Sequence, residues 1–155
     1  MVGRPLPLTG GCLCGAVRYE VRGAPFLVAA CHCRDCQKRT SSAFSMNMPM
    51  RERDFAFVAG APREIVRTTP SGSTTIHLYC NDCMSRIASK PQRTPGQIGV
   101  RPGTLDDTGW LVPIVHIYAR SALKGAIPPG AAAFETDPTD WMPFVAAFAK
   151  TWNAA

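Results

Sequence analysis

Seven cysteines, in three groups, are the residues of this chain best suited to chemistry. Cys31-His32-Cys33-Arg34-Asp35-Cys36 packs three thiols into six residues, and Cys12-Leu13-Cys14 and Cys80-Asn81-Asp82-Cys83 flank it on either side. Seven is an odd count, and a disulfide between residues as close as Cys12 and Cys14, or Cys31 and Cys33, would close a very small, strained ring. Metal ligation is the better use of such groups. In an extended strand, residues i and i+2 point to one face about 6.6 Å apart, so a Cys-x-Cys pair can lean onto one ion. Cys31 and Cys33 are expected to grip a zinc in this way with His32 turned away, and Cys36 to join them after a tight turn with knuckle spacing. Cys80 and Cys83 form a second knuckle, whose Asn81 and Asp82 tolerate the turn it demands. Cys12 and Cys14, flanked by Gly10, Gly11 and Gly15, supply another strand-type pair.

The two outer pairs make four thiolates, a closed tetrahedral site of structural type with ligands at about 2.3 Å. Cys31, Cys33 and Cys36 are then left over, and three protein ligands with one exchangeable position is the arrangement of a catalytic zinc. Two zinc ions per chain are expected. Spacing leaves two alternatives open: a histidine (His32, His77 or His116) completes the trio, or a single zinc sits on Cys33, Cys36, Cys80 and Cys83 with the other thiols free. Three cysteinates also make an electron-rich site, suited more to holding a nucleophile than to polarising a carbonyl. Arg34, Lys38 and Arg39 form the densest basic group and mark a local anion site; a solvated loop face is the alternative for each. The residues identify no general acid or base.

These side chains need a scaffold, and its sequence signals are mostly those of strands. Apolar and polar residues alternate in Val17 to Arg22, Phe44 to Met48, Thr74 to Tyr79 and Ile114 to Tyr118, as half-buried strands require. Phe26 to Ala30 reads as a strand entering the central trio, and Phe55 to Val58, Glu64 to Arg67 and Gln97 to Arg101 are weaker candidates. Dense Gly and Pro punctuation, including Pro70-Ser71-Gly72 and Pro128-Pro129-Gly130, leaves little room for helices. The expected architecture is all-β, an antiparallel domain of about eight to ten short strands. One segment differs: Asp137 as N-cap and Pro138 at the first helical position precede Trp141, Phe144, Val145, Phe148 and Trp152 at helical spacing. A C-terminal amphipathic helix of about four turns is predicted there. Core packing of its aromatic stripe is the simpler reading, and a dimer contact through it is the alternative.

At 155 residues the chain is long enough to bury a core without a zinc staple. Its longest apolar run, Phe26 to Cys31, is far short of the ~20 residues a membrane helix needs. The stretch Met1 to Leu8 has two prolines and no continuous apolar run, against a secretory signal. A cytoplasmic setting is therefore expected, where thiols stay reduced. The formal charge of +6 treats every cysteine as neutral; seven thiolates on two divalent ions subtract a net three and leave +3. With basic residues scattered, a nucleic-acid groove is not expected.

Three segments together resemble the glutathione-dependent formaldehyde-activating enzyme family, which includes the centromere protein V-like domains. They are Gly11-Cys12-Leu13-Cys14-Gly15-Ala16-Val17-Arg18-Tyr19, Cys31-His32-Cys33-Arg34-Asp35-Cys36-Gln37-Lys38-Arg39 and Tyr79-Cys80-Asn81-Asp82-Cys83. Gly103 to Asp107 and Pro113 to Tyr118 extend the likeness, which runs from about Gly10 to Ser121. The resemblance implies a zinc-binding β-tent, a structural zinc on Cys12, Cys14, Cys80 and Cys83, and a second zinc on Cys31, Cys33 and Cys36. It also implies carbon–sulfur lyase chemistry between a small thiol, glutathione in the founding members, and a small aldehyde. Arg34, Lys38 and Arg39 would then meet the carboxylates of that thiol. The family usually has glycine after the second knuckle and Thr-Gly-Ser after the trio, where this chain has Met84 and Thr40-Ser41-Ser42. The expected division is a zinc-binding domain over 1–125 and an extension over 126–155 whose helix packs on or near it.

Two other functions compete. A non-catalytic zinc module would bind protein or nucleic acid through the excess positive charge. A thiol reductase of the methionine sulfoxide type would need a reactive cysteine beyond its zinc site, and no cysteine follows Cys83.

Overall fold

A computed structural model describes residues 4–69 and 71–153. Residues 1–3, part of the stretch read above for a leader, lie outside the described residues, as do Pro70 of a predicted turn and residues 154–155. The protein is mostly β-sheet with two helices, one of them C-terminal.

Strands β1 (Leu8–Gly11), β2 (Arg18–Val21) and β5 (Phe55–Ala59) form a three-stranded sheet in the order β1-β2-β5. The larger sheet has seven strands in the order β10-β3-β4-β9-β8-β7-β6. These are β3 (Ala29–Cys31), β4 (Ser45–Arg51), β6 (Arg63–Thr68), β7 (Thr74–Tyr79), β8 (Arg86–Pro91), β9 (Gln97–Val100) and β10 (Val115–Ile117). The antiparallel expectation fails at one edge, where β10 runs parallel to β3 with Ile117 beside Cys31. Strands β4 to β9 separate the two along the chain, which makes this possible, since parallel neighbours cannot be joined by a hairpin. Strands β1 and β8 were not expected. Ile87, Ala88 and Ser89 of β8 are all buried, so the strand has no apolar–polar alternation to read.

Pairing register sorts the large sheet into two unlike faces. Met48, Met50, Ile98, Val100, Ala88 and Leu78 project into the core. The opposite face carries Cys31 directly across from Ser45, then Asn47, Ser89 and His77 along the neighbouring strands. Ser45, Ser89 and His77 are buried although polar.

Helix α1 (Arg34–Thr40) corrects the expectation of a simple tight turn at Cys36. It is only seven residues long, too short for a hydrophobic period to announce it. Buried Gln37 fixes it, donating to the carbonyls of His32 (2.7 Å) and Ser121 (2.7 Å).

Helix α2 (Met142–Asn153) has twelve residues, a little over three turns, and starts later than predicted. Asp137 accepts a hydrogen bond from the Tyr118 hydroxyl at 3.1 Å, so Asp140 meets the first turn instead, accepting from the Met142 N–H at 2.8 Å. Phe148 and Trp152 are buried, with Trp152 edge-on to Trp110 at 5.6 Å and Phe144 to Phe134 at 5.5 Å. The aromatic stripe thus packs within the chain. Among the described residues no helix is long and apolar enough to cross a membrane.

Candidate metal centres

Cys12 follows β1 in a tight turn rather than lying in a strand, as its spacing had suggested. The reason is local: the Cys12 N–H and Val17 carbonyl close the loop at 3.0 Å, and Gly15 at φ +80° turns it back. Leu13 points to solvent, 90% exposed, and the two flanking thiols come within 3.5 Å of each other. Cys80 directly follows β7 and Cys83 closes the turn after it. The four sulfurs of Cys12, Cys14, Cys80 and Cys83 all lie within 4.8 Å of one another, with Cys14 and Cys80 at 3.7 Å. Tetrahedral ligands at 2.3 Å from a zinc sit about 3.8 Å apart, so this donor set fits the ion without rearrangement. Backbone donors support it, Val17 N–H reaching the Cys12 sulfur at 3.2 Å. Ser85 ties the two halves together, accepting from the Leu13 N–H at 3.1 Å and lying 3.2 Å from the Cys83 sulfur. Its hydroxyl, the Ser85 and Cys14 backbone and the Cys14 thiol pull the Cys83 pKa down to about 5.

Cys31, Cys33 and Cys36 form a second cluster with all sulfurs within 4.8 Å. Cys31 is the last residue of β3, whereas Cys33 has left the strand to cap α1, with φ −63° and ψ 154°. Its sulfur accepts from the Cys36 N–H at 3.4 Å. The Cys31 and Cys36 thiols, followed by the Cys36 and Asp35 N–H groups, push the Cys33 pKa well down, while Cys31 is raised, chiefly by Cys33. Three thiols converging within 4.8 Å, one of them accepting a backbone N–H, form a donor set that fits a soft divalent ion.

His32 points away from the cluster and is fully buried, its Nε2 2.9 Å from His116 Nδ1 and its ring packed on Phe44. His77 is buried too, with Nε2 2.6 Å from the Arg39 guanidinium. The metal-capable groups among the described residues divide as Cys12, Cys14, Cys80, Cys83 and as Cys31, Cys33, Cys36, and no histidine joins the trio. The mixed set of Cys33, Cys36, Cys80 and Cys83 is not brought together.

A family model described as glutathione-dependent formaldehyde-activating enzyme matches residues 7–121. The chain belongs to that family. A crystal structure of a Rhodobacter sphaeroides protein is also similar, at 21% identity and a TM-score of 0.49, covering 81% of this chain and 98% of that one.

At both places where this member of the glutathione-dependent formaldehyde-activating enzyme family lacks the usual glycine, the backbone is left-handed. Ser41 has φ +51° and Met84 φ +59°. The glycine-type conformation persists under a serine and a methionine, which carries a strain glycine would not.

The three basic residues picked from sequence separate. Arg34 is exposed and donates to Gln37, Lys38 is exposed, and Arg39 turns to His77. Sequence reading passed over two other arginines, which lie on the sheet face that carries Cys31. Arg86 donates to the Ser45 hydroxyl at 2.8 Å, and Ser45 stands directly across from Cys31. Arg101 donates to the Met46 carbonyl at 3.3 Å and to the Ser89 hydroxyl at 2.5 Å. Burial and then Arg86 lower its pKa to about 9, while Cys36 and Cys31 act in the other direction. Each is a single basic residue at the end of a short strand, and no sequence pattern marks it.

Proposed function

We propose that the protein is a zinc-dependent carbon–sulfur lyase that forms or breaks a thiol–aldehyde adduct, resembling S-(hydroxymethyl)glutathione synthase, on a β-tent scaffold. Cys12, Cys14, Cys80 and Cys83 would hold a structural zinc, and Cys31, Cys33 and Cys36 a second one whose fourth position receives the thiol. Glutathione, or another small thiol, and formaldehyde are the co-substrates that the family's description supports. A cytoplasmic setting suits seven cysteines that must stay reduced. Residues 1–125 are proposed as the zinc-binding domain and 126–155 as its extension.

The observation that carries this reading is that, among the described residues, the trio has no fourth protein ligand, His32 being turned inward onto His116. When bound there, zinc would supply the positive centre that keeps a thiol ionised near neutral pH. The chain's own part is positional. Cys31 at a strand end and Cys33 and Cys36 on the first turn of α1 present three sulfurs to one point, and Gln37 locks that turn to the β3–α1 junction. Arg39 can only donate, so the Nε2 of His77 accepts and its proton stays on Nδ1. Burial, followed by the charges of Arg86, Arg101 and Arg67, lowers the His77 pKa to about 4, which keeps the ring neutral near pH 7.

Two measurements test the reading. Metal analysis should find about two zinc ions per chain, one removed more readily by chelator. NMR exchange spectroscopy on glutathione and formaldehyde should show the protein accelerating adduct formation. One tightly held zinc and no acceleration would sink the proposal.

A further inference from the structure

The polar face of the large sheet holds a set of hydrogen-bond donors that lack an anionic partner. Arg86 reaches the Ser45 hydroxyl and Arg101 the carbonyl of the adjoining Met46, and among the described residues neither has a carboxylate within 4.0 Å. Asp35, in the first turn of α1, is taken by Arg67 at 2.6 Å. Arg101 Nε and His77 Nδ1 are both buried without a hydrogen-bond partner. Two guanidinium groups and an imidazole N–H gathered on a protein face cost desolvation that only an anion repays.

The position of Arg86 is set by the turn that carries Cys83 and by the register of the strand after it. Arg86 lies three residues beyond Cys83, and the strand it opens is irregular: the β7–β8 register shifts at Leu78/Tyr79, so Arg86 pairs with Tyr79 while Ala88 pairs with Leu78. The shift turns Arg86 onto the face that carries His77 and Cys31, as bulges commonly re-aim a side chain. From there its guanidinium reaches Ser45, the cross-strand neighbour of Cys31.

We infer that Arg86 and Arg101, with the Nδ1–H of His77, bind the carboxylate of the thiol that occupies the open position beside Cys31, Cys33 and Cys36. The inference rests on the thiol–aldehyde reading and assigns the side chains that would hold the thiol's carboxylate. It also moves the anion site from the exposed side of α1, where Arg34 and Lys38 lie, to the sheet beneath. A competing role for the two arginines is to balance the charge of metal-bound thiolates alone.

The test uses the full chain with cobalt(II) in place of zinc, titrated separately with 3-mercaptopropionate and the neutral 3-mercaptopropanol, following the visible bands of the cobalt. Wild type should bind the carboxylate thiol at least about tenfold more tightly, the strength expected of one or two charge-assisted hydrogen bonds. Arg101→Gln and Arg86→Gln should each bring the ratio towards one while leaving mercaptopropanol affinity within about twofold. A wild-type ratio near one, with both thiols binding, overturns the inference and leaves the thiol–aldehyde reading standing; this arm needs no variant to fold. A ratio that survives both substitutions overturns it too, as does a loss of cobalt affinity with the ratio unchanged, which would assign the arginines to charge balance. If neither thiol perturbs the spectrum, the thiol–aldehyde reading itself fails.

Discussion

Cys33 and Cys80 are both proposed ligands, yet they sit in different structural company. Cys80 is buried just past β7 and its cluster joins the β1–β2 loop to the end of that strand, so the ion would staple two sheets. Cys33 is partly exposed at the start of a short helix already tied down by Gln37. Cys80→Ser should therefore give a chain that loses its cooperative thermal transition, because binding energy at a structural zinc is folding energy. Cys33→Ser should keep that transition, retain one zinc and lose the accelerated exchange of glutathione with formaldehyde. Circular dichroism and metal analysis on the two variants check this. His77 provides a pH signature. Its pKa is about 4 folded against an ordinary 6.5, so the unfolded chain takes up the proton first as pH falls. The stabilisation is complete above pH 6.5 and is lost as pH falls from 6.5 to 4, a total of about 3 kcal/mol. In urea unfolding at successive pH values, His77→Gln should flatten that decline by a comparable amount.

Helix α1 is the element on which the second cluster depends. It places Cys33 and Cys36, while a single side chain, Gln37, fastens it to two carbonyls. Gln37→Ala would leave both carbonyls short of a partner and should cost about 2 kcal/mol in denaturant unfolding, with weaker retention of the more easily chelated zinc. The helix ends at Ser41 in a left-handed cap, and Met84 holds the same conformation after the second knuckle. Ser41→Gly and Met84→Gly should each stabilise the protein by roughly 0.5–1 kcal/mol, since the strain relieved exceeds the added freedom of the unfolded chain. A loss of stability at either position would show that the side chain contributes more than its backbone costs.

Across the whole molecule, residues 126–153 are woven into the edge that carries the second cluster. The His116 N–H donates to the Ala132 carbonyl at 2.8 Å, the Phe134 N–H donates to the His116 carbonyl at 2.9 Å, and β10 lies beside β3 with Ile117 against Cys31. Removing everything after residue 125 would unpair β10 on one side and expose Trp110, whose partner Trp152 is buried in α2. The truncated chain should bind a hydrophobic dye and lose the more readily chelated zinc first, while the cluster of Cys12, Cys14, Cys80 and Cys83, built on other strands, persists. Zinc release followed by a chromogenic chelator would check the order.

Sequence by itself determined the three thiol groups, most strands with a polar face, and the existence of α2, because each leaves a local mark in spacing or periodicity. It divided the thiols four and three by counting, and the structure gathers the same sets. Tertiary structure alone decided that Cys12 and Cys14 meet in a turn, that Cys36 rides on a helix, and that β10 runs parallel to β3. It also decided which basic residues share the sheet face that carries Cys31. Arg34 and Lys38 are neighbours of Cys36 along the chain but point outward, whereas Arg86 and Arg101 are fifty or more residues away and arrive through strand register. Register is a property of paired strands, and a one-residue shift between Leu78 and Tyr79 reverses the face a side chain occupies. No single stretch of sequence carries that information.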